Sequence, residues 1–123
     1  MVALEGDLGA GKTELARVVI RSLAGAAIPV PSPTFTLLQT YELPDLVVTH
    51  ADLYRLGDAS EVQELGLDEA WEQGALLVEW PERAGELLPA DRLTLRLRHV
   101  PEAGPEVREI EIEGDERWRT LQA

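Results

Sequence analysis

Gly6-Asp7-Leu8-Gly9-Ala10-Gly11-Lys12-Thr13, written GDLGAGKT, is the stretch that decides the fold. It satisfies G-x-x-x-x-G-K-[ST] at every fixed position. Glycines let the backbone curl so that successive N–H groups point inward at phosphate oxygens. A helix starting just after the loop aims the positive end of its dipole at the same place. Lys12 is a compact ammonium on a long stem, suited to reach the outer phosphates. The Thr13 hydroxyl suits Mg²⁺, which takes hard oxygen ligands and keeps several waters. Lys12 is also the only lysine in the chain, with arginine everywhere else. The planar fork of arginine fits a nest of N–H groups less well than a point charge. A glycine-rich turn that merely happens to precede a lysine is the bland alternative, and the flanking sequence disfavours it.

Working outward, Val2 to Glu5 is a short apolar stretch running straight into the loop. After it, Leu15, Val18, Val19 and Leu23 recur at helical spacing, with Gly25 as the stop. PVPSPT, residues 29–34, is too rich in proline for a helix or a central strand and reads as an ordered loop. FTLLQTYE (35–42) and LVVTHAD (46–52) read as strands around a turn at Leu43-Pro44-Asp45. Ser60 with Gln63 has the spacing of a capping box opening a helix through SEVQELGL. ALLVEW (75–80) is a buried type of strand, stopped by Pro81. LTLRLRHV and EVREIEIEG alternate with period two around PEAGP, which predicts a hairpin with one wet face. The last residues, DERWRTLQA, read as a short helix or a frayed tail.

These elements predict one domain over residues 1–123, of class α/β. The expected architecture is P-loop NTPase-like: three layers, α/β/α, around a mixed, mostly parallel sheet with a late antiparallel hairpin. The apolar fraction of 45% is ordinary for a globular fold. The absence of cysteine excludes a disulfide framework and thiolate metal sites, and fits a reducing cytoplasm. No apolar run approaches the roughly 20 residues that span a bilayer. Eleven Lys and Arg against 23 Asp and Glu give a net charge of −12. That balance is wrong for gripping a nucleic-acid backbone or an anionic membrane alone. If nucleic acid is involved, another subunit is expected to hold it.

Guanine-specific P-loop proteins usually carry an Asn-Lys-x-Asp base reader. This chain has no Asn, and its one Lys is already used, which favours ATP. Mg²⁺ bound to a nucleotide usually needs a carboxylate at the end of a neighbouring strand. Asp52 and Glu79 both fit, one binding the metal directly or through water and the other orienting the attacking water. Thr34, in the proline-stiffened loop, is a candidate second hydroxyl for the metal and the terminal phosphate. Trp80 either packs on the nucleotide or is a core indole. Arg55 and Arg83 either stabilise the transferring phosphate or are surface charges. His50 reads more readily as a packed core histidine than as a base.

GDLGAGKT, SPTF (32–35), HADLYRL (50–56) and VEWPER (78–83), in this order and spacing, resemble the TsaE family. The resemblance runs from residue 2 to about residue 113. It implies a bacterial ATPase required for the threonylcarbamoyl modification of adenosine beside the tRNA anticodon. Leu8, Gly9, Ala10, Gly11, Lys12 and Thr13 would then hold the phosphates. Thr13 and Glu79 would be the Mg²⁺ ligands, Asp52 the Walker B-type acid, and Thr34 part of a switch-like loop. Trp80 would lie near the nucleotide, and Arg108 in the last hairpin would approach it. The partners implied are TsaB and TsaD, with TsaD transferring the threonylcarbamoyl group. tRNA would be met indirectly, through the complex.

The resemblance also implies a strand and helix ahead of the phosphate loop. Met1 stands five residues before Gly6, so the expectation is a late start or a truncation. Two rival functions stay in view: a small P-loop kinase acting on a metabolite, and a non-hydrolysing module whose nucleotide state controls binding.

Overall fold

The computed structural model describes residues 1–7, 9–25, 28–30, 38–56, 59–85, 88, 92–104 and 107–114. Strand β1 (Val2–Gly6) leads through the glycine loop into α1 (Lys12–Ala24). Gly25 ends the helix by donating to the carbonyls of Arg21 and Ser22. β2 (Leu38–Glu42) turns back into β3 (Val47–Asp52) through Leu43, whose N–H donates to Leu46 O at 2.9 Å. Two short helices follow, α2 (Ala59–Glu64) and α3 (Leu67–Gln73). Next come β4 (Ala75–Glu79) and a 3₁₀ turn at Pro81–Arg83. The chain closes with β5 (Leu93–His99), a 3₁₀ turn at Pro101–Ala103 and β6 (Arg108–Glu113).

The strands form one sheet in the order β2-β3-β4-β1-β5-β6. The inner pairs β3–β4, β4–β1 and β1–β5 are parallel, and the edge pairs β2–β3 and β5–β6 are antiparallel. On β4, Leu76 and Val78 join a cluster with Ala51, Leu53, Val62 and Leu67 beneath α2 and α3. Leu77 points the other way and joins Leu4, Val48, Ala16 and Ile20 beneath α1. Two covered faces explain why ALLV reads as continuously apolar rather than alternating. The α/β class and the mixed, mostly parallel sheet agree with expectation. No helix among the described residues is long and apolar enough to cross a membrane.

Two expectations need correction. The helix predicted through SEVQELGL is two helices. Ser60 is the second residue of α2 rather than a cap ahead of it. The chain breaks at Leu65-Gly66, where Gly66 turns left-handed with φ 75°, a conformation that favours glycine. α3, missed by the periodicity, starts there with Ala70 N–H donating to Gly66 O. The hairpin is also wetter than predicted: Ile110 and Ile112 are 46% and 44% exposed on the face opposite Glu109 and Glu111. α1 lies over β1 and β4, and β6 is two strands away from β1 at the edge of the sheet. Of the predicted first strand, residues 35–37 lie outside the described residues, as do Pro31 to Thr34 of the proline loop and the tail at 115–123.

Candidate functional site

The site is built where β1, β3 and β4 end and α1 begins. Gly6 closes β1 with φ 152°, and a Cβ there would sit 2.6 Å from Leu97 O of β5. Only glycine lets the loop start so close to the neighbouring strand. Gly9 and Gly11 also take positive φ, 82° and 106°. Ala10 N–H closes the loop onto Asp7 O at 3.0 Å, and Leu15 N–H opens the helix onto Gly11 O at 2.9 Å. Leu8 lies outside the described residues.

Lys12 is 5% exposed. Its Nζ donates to Gly6 O at 2.6 Å and to Asp7 O at 3.0 Å. It also sits 4.1 Å from the centre of the Trp80 ring, a cation–π distance. Burial pulls the ammonium pKa below its ordinary value, while Glu79, Glu82, Asp52 and Asp7 pull it back up. The lysine is thus strapped across its own loop by neutral carbonyls, which an anionic oxygen outcompetes as an acceptor.

Thr13, in the first turn of α1, donates its hydroxyl to Glu79 Oε1 at 2.7 Å. Glu79 is 2% exposed, and its second oxygen lies 2.5 Å from His50 Nε2. In the parallel register Asp52 stands directly opposite Glu79. Strand alternation puts His50, Asp52, Leu77 and Glu79 on the face that carries α1. Asp52 is half-buried and accepts the Tyr54 backbone N–H at 3.0 Å. Burial raises the Asp52 carboxyl pKa, and the Glu79 charge adds to the rise; the Tyr54 N–H, His50 and Lys12 oppose it.

Trp80 follows with left-handed backbone angles, φ 58° and ψ 52°, uncommon for a bulky residue. Its ring lies 4.9 Å from that of Tyr54, tilted by 43°. From the start of β6, Arg108 Nε donates to Ala10 O at 3.0 Å, tying the hairpin to the glycine loop. Lys12, Thr13, Asp52, Glu79, Trp80 and Arg108 are therefore gathered around one loop. Arg55 and Arg83 are exposed just beyond β3 and β4. Thr34 lies outside the described residues.

No three His, Cys, Asp or Glu side chains among the described residues are grouped to cage a metal. That suits Mg²⁺ arriving with phosphate, which takes one or two carboxylates and fills the rest with phosphate oxygens and water. The Thr13 hydroxyl and the Glu79 carboxylate are hard oxygens of the kind such an ion takes, and Asp52 stands opposite Glu79. A cavity of about 480 Å³ adjoins the start of the loop, lined by Gly6, Asp7 and Trp80, by Glu5, Glu82, Glu109 and Glu111, and by Arg96 and Arg98.

Two participants carry weaker signals in the sequence. His50 is a core histidine as expected, yet it also grips Glu79; its spacing of two from Asp52, which shares a strand face with it, was the available clue. Tyr54, packed on Trp80, stood in the sequence only as part of HADLYRL, with no role of its own.

Residues 1–110 match the family described as Threonylcarbamoyl adenosine biosynthesis protein TsaE. A tRNA threonylcarbamoyladenosine biosynthesis protein TsaE of Rickettsia bellii is 44% identical over 98 residues, covering 80% of this chain and 68% of its own. The Bacillus subtilis protein of the same name is 43% identical over 111 residues, covering 89% of this chain and 66% of its own. Among solved structures, the crystal structure of Bacillus subtilis YdiB superposes with a TM-score of 0.74 at 33% identity. That likeness covers 98% of this chain and 72% of the YdiB chain.

Proposed function

The chain belongs to the TsaE family of threonylcarbamoyl adenosine biosynthesis proteins, and from that premise we propose a magnesium-dependent ATPase that sustains tRNA threonylcarbamoylation together with TsaB and TsaD in the cytoplasm. The observation that carries this reading is the 2.7 Å hydrogen bond from Thr13 to Glu79. It joins the first turn after the glycine loop to the end of β4, so the hydroxyl and the carboxylate expected to share a metal already touch.

When bound, Mg·ATP supplies the phosphoryl group and a cation that shields its charge. The work of the protein is positioning and electrostatics. Lys12 exchanges the Gly6 and Asp7 carbonyls for outer phosphate oxygens, a charge-assisted contact. The loop N–H groups and the start of α1 hold the remaining phosphate charge. Thr13 and Glu79 hold the metal through oxygen. Asp52, opposite Glu79, orients the attacking water and takes its proton; its raised pKa makes it a better acceptor than an ordinary surface aspartate. Trp80 and Arg108 wall the loop on two sides. The net charge of −12 supports leaving tRNA to the partner proteins.

Reconstitution tests this. Multiple-turnover modification of tRNA is measured with TsaB, TsaD, a threonylcarbamoyl-AMP source and ATP. Leaving out this chain, or supplying Lys12→Ala, should restrict the reaction to about one turnover. Undiminished turnover without it would refute the proposal.

A further inference from the structure

We propose that His50 is a positioning residue that sets the Glu79 carboxylate for Mg²⁺, an inference that rests on the nucleotide reading above. The imidazole is wholly buried, 0% exposed, one pleat below the Asp52–Glu79 pair. It stands opposite Leu77 in the register and reaches diagonally to Glu79. Its Nε2 lies 2.5 Å from Glu79 Oε2. A carboxylate only accepts, so Nε2 carries the hydrogen and donates.

The other ring nitrogen, Nδ1, is buried with no hydrogen-bond partner among the described residues. The polar contact that orients the ring is therefore the one to Glu79. Most buried side-chain polar atoms have at least one hydrogen-bond partner. Here the unmet nitrogen is tolerated, while the other is spent on one oxygen of one carboxylate.

The two Glu79 oxygens are divided between donors from different elements: Oε1 to Thr13 of α1, Oε2 to His50 of β3. Two donors at opposite oxygens fix the plane of a carboxylate, and one does not. Thr13 is itself an expected metal ligand, so His50 is the anchor that stays outside the metal's reach. Groups that orient a ligand from behind in this way typically contribute 10- to 100-fold to metal affinity.

The test uses His50→Leu, His50→Gln and His50→Asn in the full chain. Glutamine carries an N–H donor at nearly the reach of Nε2, and asparagine is too short for it. ADP affinity is measured by calorimetry without Mg²⁺, followed by the free Mg²⁺ needed for half-maximal tightening. His50→Leu should leave Mg²⁺-free ADP affinity within about 2-fold and raise the Mg²⁺ requirement about 10- to 100-fold. His50→Gln should recover most of the loss, and His50→Asn should not. An unchanged Mg²⁺ requirement in folded His50→Leu overturns the proposal. So does an equal loss of affinity with and without Mg²⁺, which marks a merely structural role. Should His50→Leu fail to fold, the Gln and Asn pair decides, and equal Mg²⁺ requirements in those two overturn it. If wild-type protein binds no ADP under either condition, the underlying nucleotide reading fails instead.

Discussion

Asp52 and Glu79 face each other across adjacent parallel strands, and the two acids are held differently. Glu79 is enclosed between Thr13 and His50. Asp52 has a backbone N–H and partial exposure. One carboxylate is fixed and the other is left responsive.

That difference predicts how stability follows pH. The Asp52 pKa is raised in the fold, chiefly by burial and further by Glu79. Between the ordinary aspartate range and the raised value, the folded state therefore binds more protons than the unfolded state. Stability falls as pH rises through that window. Asp52→Asn should melt higher than wild type at pH 7.5, with the gap closing as pH drops below the ordinary carboxyl range. The same variant should lose about 100-fold or more of partner-stimulated ATP hydrolysis. Differential scanning calorimetry over a pH series checks the first outcome, and phosphate release checks the second.

Lys12 makes the opposite case. Burial lowers its pKa, so the folded state binds fewer protons than the unfolded state from the lowered value up to the ordinary lysine range. Stability contributed by this group rises with pH through that window, and its full burial cost is carried below the lowered value. Lys12→Met should melt no lower than wild type at pH 7. It should weaken ADP binding about 10- to 100-fold, the worth of hydrogen bonds to a charged group. Melting and calorimetry on one sample decide this, and a large drop in melting temperature would contradict it.

Thr13→Val removes the hydroxyl that satisfies Glu79 Oε1. Leaving a buried acceptor unmet should cost about 1–3 kcal/mol in urea unfolding without nucleotide. Thr13→Ser keeps the donor and should stay close to wild type.

Trp80 should report on Lys12. The ammonium lies 4.1 Å from the ring centre and is expected to leave for phosphate. In a Trp71→Phe, Trp118→Phe background, ADP should change the Trp80 emission, and adding Lys12→Met should abolish the change.

Arg108→Ala severs the hydrogen bond from the hairpin to Ala10 O. One such bond is worth about 0.5–1.5 kcal/mol, so urea unfolding without nucleotide should show a loss of at least that size. Arg108→Lys should not restore it, because an ammonium lacks the fork that places Nε on that carbonyl.

The stretch GDLGAGKT carried its meaning locally: glycines where the backbone must curl, then Lys12 and Thr13 at the head of a helix. The strand ends at Asp52 and Glu79 were legible because each follows an apolar run. The break between α2 and α3 was not, because Gly66 tolerates either a helical or a left-handed backbone and nothing local selects one. Nor was the exposure of Ile110 and Ile112, since alternation marks which residues share a face but not whether a helix covers it.

Residue order alone determined the loop chemistry, the α/β class and the candidate acids, since these depend on backbone freedom, side-chain type and periodicity. Only the tertiary structure decided that Thr13, His50 and Glu79 form a single hydrogen-bonded line, and that Arg108 returns to the first loop. Those contacts depend on the order and register in which β3, β4, β1 and β5 pair. Pairing is a property of the whole sheet, where burial of both faces at once selects one arrangement.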